Sequence, residues 1–177
     1  ISPRQFQEYR VRTTYAPASW VNLNGSFNVF ESRNNVTQIN YLAHNRAYAI
    51  AATLIPNSRL SLELGYDYND IFSQILVCYT SATAPTGLAQ CPGSTVLIQQ
   101  LSIYTNTSHF GYFDFRFTHK AVTARLGTNI TTTSGSALLI NPNAPSGPLD
   151  SKYYQPFGGL EYRVRSNWTG KAYWGYY

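Results

Sequence analysis

The charged side chains Glu8, Arg10, Arg12, Glu63, Asp67, Asp114, Arg116, Arg125, Glu161, Arg163, Arg165 and Lys171 lie inside segments where polar and apolar residues alternate. Charges of both signs facing a wet lumen would set its hydration and ion selectivity. The basic members outnumber the acidic ones, so an open lumen is expected to favour anions mildly. In a small closed barrel, whose interior is filled by side chains, the same residues would instead form a structural ion-pair network or seat a plug. Cys78 and Cys91 are the only cysteines. In an oxidising compartment they are expected to pair and close a loop. The alternative is a metal or haem site, but no Cys-x-x-Cys-His motif occurs and no histidine is near. The histidines His44, His109 and His119 fall in separate segments. With Asp67, Asp70 and Ser108, His44 and His109 offer the residue types of a rim hydrolase, yet no spacing motif sharpens them. No catalytic residue, metal site or cofactor is assigned, and the expectation is a non-enzyme.

The elements that must position these charges read as strands. In residues 20–30, Val21, Leu23, Gly25, Phe27 and Val29 oppose Asn22, Asn24, Ser26 and Asn28. Such alternation follows from successive strand side chains pointing to opposite faces. Leu60, Leu62, Leu64, Tyr66 and Tyr68 oppose Ser61, Glu63, Gly65, Asp67 and Asn69. Phe113, Phe115 and Phe117 oppose Asp114, Arg116 and Thr118. Val122, Ala124, Leu126, Thr128 and Ile130 oppose Thr123, Arg125, Gly127, Asn129 and Thr131. Tyr9, Val11 and Tyr15 oppose Glu8, Arg10, Arg12 and Thr14, and Leu160, Tyr162 and Val164 oppose Glu161, Arg163 and Arg165. The pattern is weaker where Tyr48, Ile50, Ala52 and Leu54 oppose Asn45, Ala47, Ala49 and Thr53, and where Ala172, Trp174 and Tyr176 oppose Lys171, Tyr173 and Gly175. No segment has a helical period. Gly25, Gly65, Gly111, Gly127 and Gly159 inside strands suit bends or close packing in a curved wall.

Short links at 17–19, 56–58, 119–120 and 166–170 carry Pro, Asn, Ser and Gly, the turn residues. Long links at 31–42, 70–94 and 134–151 are rich in Asn, Ser, Thr, Gly and Pro. Short and long alternate, which gathers all turns at one end and all loops at the other. A sandwich has no need of that asymmetry; an outer-membrane barrel has it. The fold expected for residues 1–177 is therefore an all-β, antiparallel, up-and-down transmembrane β-barrel segment with about eight strands. With the short turns taken as periplasmic, the first strand runs inward and the last outward, so a flanking strand is expected to be missing at each end. The eight strands either close on themselves or, as expected here, belong to a larger barrel of at least about ten strands.

Composition agrees. Charged residues make up 12% against 15% aromatic, with 15 Tyr and 9 Phe, whereas soluble domains carry roughly 25% charged residues. Mean hydropathy is −0.25, and no stretch approaches the roughly 20 apolar residues of a membrane helix. Tyr15, Trp20 and Trp168 sit beside turns, and Tyr66, Tyr68, Phe110, Tyr112 and Tyr154 toward the loops, as two interfacial girdles would require. The net charge of +5 and pI near 9.3 come from scattered residues, so no nucleic-acid partner is expected. No signal-peptide pattern follows Ile1. Asn35-Val36-Thr37, Asn106-Thr107-Ser108, Asn129-Ile130-Thr131 and Asn167-Trp168-Thr169 match the glycosylation pattern but read as strand and turn polarity in a chain rich in Asn and Thr.

Leu60-Ser61-Leu62-Glu63-Leu64-Gly65-Tyr66-Asp67-Tyr68-Asn69-Asp70-Ile71-Phe72-Ser73, the Cys78/Cys91 loop and Asn141-Pro142-Asn143-Ala144-Pro145-Ser146-Gly147-Pro148-Leu149 resemble the C-terminal part of large outer-membrane β-barrel proteins of Acidobacteria-type bacteria. The likeness covers most of the chain beyond about Asn40 and includes no catalytic motif. Some such proteins resemble the MtrB/PioB-type sheaths that surround multihaem cytochromes. In that family the barrel continues to a final strand ending in an aromatic residue, which is expected to lie beyond this sequence. The resemblance implies a bacterial outer-membrane location and a porin-like or sheath-like role. The expected partners are a lipid bilayer, small solutes or ions, and for a sheath a periplasmic or lumenal protein. The leading expectation is a pore for passive solute passage, ahead of a non-conducting sheath, an outer-membrane hydrolase and a soluble secreted β-sandwich adhesin.

Overall fold

The computed structural model describes residues 5–36, 39–80, 89–94, 97–138, 147–165 and 168–176. Alternation becomes strand throughout: β1 (Gln5–Ala18), β2 (Val21–Asn34), β3 (Tyr41–Asn57), β4 (Leu60–Thr80), β5 (Leu97–His119), β6 (Val122–Leu138), the short β7 (Gly147–Pro148), β8 (Ser151–Arg165) and β9 (Trp168–Gly175). Among the described residues there is no helix. Each long strand pairs antiparallel with its sequence neighbour in the order β1-β2-β3-β4-β5-β6-β8-β9, and β7 adds to β6. The up-and-down reading therefore holds with eight long strands. The sheet is open: among the described residues nothing pairs β1 with β9.

This single layer has no second layer to cover it. The only buried hydrophobic residues among those described are Cys91 and Ile98, whereas Tyr9, Ile50, Leu126, Leu160 and Trp174 are each more than half exposed. Cross-strand partners share a face, so the pairing sorts every side chain onto one of two faces. One face carries the apolar members of each alternation from residues 21–29 of β2, 60–68 of β4 and 122–130 of β6.

The strands are also staggered in one sense. A line along the hydrogen bonds from Tyr15 runs through Leu23, Ala52, Leu64, Phe113, Thr128 and Pro156. Leu23 is the third residue of β2, Leu64 the fifth of β4, Thr128 the seventh of β6, and Pro156 the tenth of β8 from its turn end. The line thus climbs away from the turns by about one residue per strand, the kind of shear that closing a tilted sheet requires.

The turns lie a residue or two beyond their expected positions. β1 continues through Ala18 and turns at Ser19-Trp20, not at 17–19; β3 continues through Asn57 and turns at Ser58-Arg59, not at 56–58. Pro17 and Pro56 are accommodated because the β1/β2 and β3/β4 ladders are irregular between Tyr15 and Ala18 and between Leu54 and Asn57. The Asn57 side chain accepts from the backbone N–H of Arg59 (2.9 Å) and Leu60 (3.1 Å), closing its turn. The third turn is Lys120-Ala121, with Lys120 in the left-handed region at φ 52°. Of the fourth, residues 166–167 lie outside the described residues.

The loops are shorter than expected. Strand continues to Asn34 and resumes at Tyr41, so the link 31–42 contracts to 35–40. β4 runs to Thr80 and β5 begins at Leu97, which takes much of 70–94 into strand. β6 runs to Leu138, and β7 and β8 begin at Gly147 and Ser151, within or at the edge of 134–151. Ser, Thr and Asn were read there as loop signals, yet interleaved Ile, Leu, Val and Tyr keep the two-residue period and the ladder continues. Residues 37–38, 81–88 and 139–146, including Asn141 to Ser146, lie outside the described residues. Beyond the ends of the β3 and β6 ladders, 75–80 and 97–102 stand out as a hairpin. The expected disulfide Cys78–Cys91 clips it, with Cα atoms 6.0 Å apart. Gln90 bridges to Ile98 and Cys91 N–H donates to the Leu97 carbonyl at 2.9 Å, which folds the segment 89–91 back onto β5.

The strand glycines divide by space. A Cβ on Gly127 would collide with the Phe157 ring and stand 2.5 Å from the Phe113 carbonyl oxygen, whereas one on Gly111 meets nothing within 4 Å. Gly127→Ala should therefore cost about 1–3 kcal/mol by overpacking, and Gly111→Ala should stay within about 0.5 kcal/mol. Urea unfolding of both variants in the same detergent or lipid measures the difference.

Candidate functional site

The second face holds the charges. Arg12, Ser26, Ala49, Asp67 and Phe110 form one cross-strand row, and Glu63, Asp114, Gly127 and Phe157 another. By the same register Glu8 and Arg10 on β1, Arg116 on β5, Arg125 on β6, Glu161 and Arg163 on β8, and Lys171 on β9 share this polar face. The structure thus brings the lumen-facing candidates onto one surface. Arg165 pairs with Trp168 beyond a bulge in the β8/β9 ladder.

Three pairs satisfy part of this charge. Arg125 is held most firmly: its Nε donates to both carboxylate oxygens of Asp114 at 2.9 Å, and its Nη2 reaches the same carboxylate. Its guanidinium also lies 5.1 Å from the centroid of the Phe157 ring, a cation–π contact. Arg10 Nε donates to Glu8 at 2.7 Å, and Lys171 Nζ stands 3.3 Å from Glu161. Arg12, Arg116, Arg163, Glu63 and Asp67 have no ion-pair partner among the described residues. Arg116 lies directly across the ladder from Arg125, and Glu63 directly across from Asp114. Like charges so placed repel, and the Asp114–Arg125 bond is what offsets both contacts. Beside it a groove of about 200 Å³ is lined by Arg116, Thr118, Thr123, Arg125, Glu161 and Tyr173.

Aromatic rings on this face lie over glycines, a feature the one-dimensional pattern did not disclose. Tyr112 covers its cross-strand partner Gly65, Phe157 covers Gly127, and Tyr173 covers Gly159, where a Cβ would come within 2.8 Å of the ring. Phe110 and Tyr112, expected in the loop-side girdle, thus face the polar side. A further unforeseen feature is the run Ala43, Ala47, Ala49 and Ala51, which makes the polar face of β3 shallow.

The girdle candidates Tyr15, Tyr66, Tyr68 and Tyr154 do occupy the apolar face. Trp20 sits in the β1/β2 turn, where its carbonyl accepts from Ile55 N–H at 2.7 Å, and Trp168 is exposed at the start of β9. A row of rings crosses the apolar face: Phe27 to Tyr48 at 5.2 Å, Tyr48 to Tyr68 at 5.7 Å, and Tyr68 to His109 at 5.1 Å between centroids. Tyr66 Oη and His109 Nδ1 are hydrogen-bonded at 2.6 Å.

Above this row the apolar face turns polar. Arg46 Nη2 donates to Glu31 at 2.8 Å, and His44 Nε2 and Asp70 are 3.1 Å apart, with Thr107 Oγ1 donating to Asp70 at 3.4 Å. The bond from Arg46 holds the Glu31 carboxyl below its ordinary pKa. The residues cast as a rim hydrolase are split: His44, Asp70 and His109 are on the apolar face, Asp67 and Ser108 on the polar one. Among the described residues no three His, Cys, Asp or Glu side chains group as metal ligands.

No protein-family model matches the chain, and no curated protein matches it in sequence.

Two of these three pairs differ in shielding, with the Asp114 side chain 19% exposed and the Glu161 side chain 35% exposed. Double-mutant cycles with Asp114→Asn and Arg125→Gln, and with Glu161→Gln and Lys171→Gln, should give a coupling of about 1 kcal/mol for the first pair and under about 0.5 kcal/mol for the second. Equal couplings would mean that the bidentate geometry contributes nothing.

Proposed function

We propose that this chain is wall of a transmembrane β-barrel in a bacterial outer membrane, with its apolar face toward lipid and its polar face lining a pore for passive passage of small solutes and ions. The observation that carries the reading is the segregation of two complete faces across eight long strands. The apolar band is nine residues tall on β2, β4 and β6, and a tilted strand needs about 9–11 residues to cross a hydrocarbon core. With the turns in one plane, a stagger of one residue per strand against strand spacing gives a tilt of about 35°, at the edge of the 35–45° found in such barrels.

An ordinary sandwich interior does not suit the polar face. Burying Arg12, Arg116 and Arg163 without partners would cost several kcal/mol each. In a wet lumen they remain hydrated, and with Glu63 and Asp67 as the only unpaired acids among the residues assigned to that face, the surplus is positive. In lipid the edges β1 and β9 must be paired, because each orphan backbone group would cost several kcal/mol. Closure of β1 on β9 or pairing with further strands would meet that need, and a lumen open to solutes favours a wall wider than a side-chain-filled eight-stranded one. Solute passage then needs no fixed site, only width and field.

Purified native protein in planar bilayers should give discrete conductance with a modest anion preference that declines as salt is raised. Arg116→Glu with Arg163→Glu should move the reversal potential toward cation selectivity. Conductance that ignores both reversals would remove these residues from the lumen. A Soret band with little conductance would instead make the barrel a sheath around a haem protein.

A further inference from the structure

We propose that the apolar face carries a binding site for the phosphate headgroup of a membrane lipid, formed by His109, Thr132 and Lys152 above a notch at Gly111. The inference rests on the reading of that face as lipid-facing. His109 of β5, Thr132 of β6 and Lys152 of β8 are consecutive cross-strand partners, continuing the row that begins Tyr48, Tyr68. Three neighbouring strands place them within about 10 Å of one another along the row.

All three can act as donors. A phenol is a stronger acid than a neutral imidazole N–H, so Tyr66 donates to His109 Nδ1 across their 2.6 Å bond and leaves the ring hydrogen on Nε2. Thr132 and Lys152 have no side-chain partner among the described residues. The strands β5, β6, β8 and β9 present no carboxylate on this face. The nearest acid within a strand there, Asp70 on β4, is engaged by His44 and Thr107, and Asp150 lies beyond the end of β8 without an ion pair. A solitary ammonium, an imidazole N–H and a hydroxyl in line fit a phosphate, which accepts several charge-assisted hydrogen bonds.

What makes the occupant a lipid is the surface one row nearer the turns. Tyr66, Gly111, Ile130 and Tyr154 follow one another there, and the missing side chain of Gly111 leaves open space between Tyr66 and Ile130. That notch would take an acyl chain descending from a headgroup held above it. Free phosphate would gain nothing from the notch.

The test uses the full chain in mild detergent, with dioleoylphosphatidic acid and dioleoylglycerol as matched probes in native mass spectrometry. One phosphatidic acid should bind about tenfold more tightly than the diacylglycerol, a preference that the Thr132→Val, Lys152→Gln double variant reduces to within about twofold. Gly111→Leu, filling the notch, should weaken both lipids. Flotation with phosphatidylcholine vesicles separates the two levels of the argument. Vesicle-bound protein whose variants keep the wild-type preference would overturn the site and leave the membrane reading intact. Protein that stays out of the vesicles would overturn both. Inorganic phosphate displacing phosphatidic acid at equal concentration would also overturn the lipid assignment.

Discussion

A β-sheet of one layer leaves both of its faces and both of its edges to the surroundings, and that constraint governs the rest of this structure. In a sandwich the inner faces bury each other, and the stability comes from apolar area removed from water. Here only Cys91 and Ile98 are buried hydrophobic residues among those described, while a largely apolar face runs across the sheet. Such a surface marks an interaction face, with lipid in the reading proposed above. Strand-to-strand pairing leaves open the outer edges of β1 and β9 and of the projecting stretches 75–80 and 97–102. In the membrane reading, edges within the hydrocarbon would have to be paired.

Stagger and side-chain size act together on the polar face. In a closed, sheared wall such as the one proposed above, the polar face would be concave and its side chains closer together than on a flat sheet. Glycine opposite a large ring is one way to meet that crowding: Tyr112, Phe157 and Tyr173 lie against Gly65, Gly127 and Gly159. The Phe157 ring then serves twice, covering Gly127 and supporting the Arg125 guanidinium that neutralises Asp114. Replacing that glycine would disturb the ion pair that joins its own strand to β5. Packing and electrostatics are therefore one arrangement at this level of the wall.

The strands and their faces were legible because a two-residue period survives without knowledge of partners. Leu60 to Tyr68 and Val122 to Ile130 declare both the element and its sidedness. What the period cannot convey is where it stops mattering. Ser73 and Ser136 fall in stretches whose composition reads as loop, but hydroxyls are at home in a ladder, and Ser136 bonds Thr105 across it at 2.9 Å. Phe110 and Tyr112 were read as girdle residues by type; parity with Asp114 on the same strand assigns them to the polar face instead. The Glu31–Arg46 and His44–Asp70 pairs join residues on three strands far apart in sequence, and only register brings them together. The disulfide was legible for a simpler reason, since the chain has only two cysteines.

The polar ring above the aromatic row follows from the same physics as the band beneath it. In the membrane setting proposed above, a face that stayed apolar over the whole length of β4 and β5 would have no fixed depth along the bilayer normal. Charged and hydroxyl side chains resist entering hydrocarbon, and aromatic rings with a polar edge settle at its boundary. In the membrane reading proposed above, Tyr48, Tyr68 and His109 would mark that boundary, with Arg46, His44, Asp70 and Thr107 immediately above it. On the same face of β6, β8 and β9 no ion pair occurs among the described residues, and Lys152 stands above Tyr154 without a partner. That asymmetry sets the two halves of the sheet apart. Where Glu31 meets Arg46, the protein supplies its own counter-charge; at Lys152, in the reading proposed above, the medium would supply it.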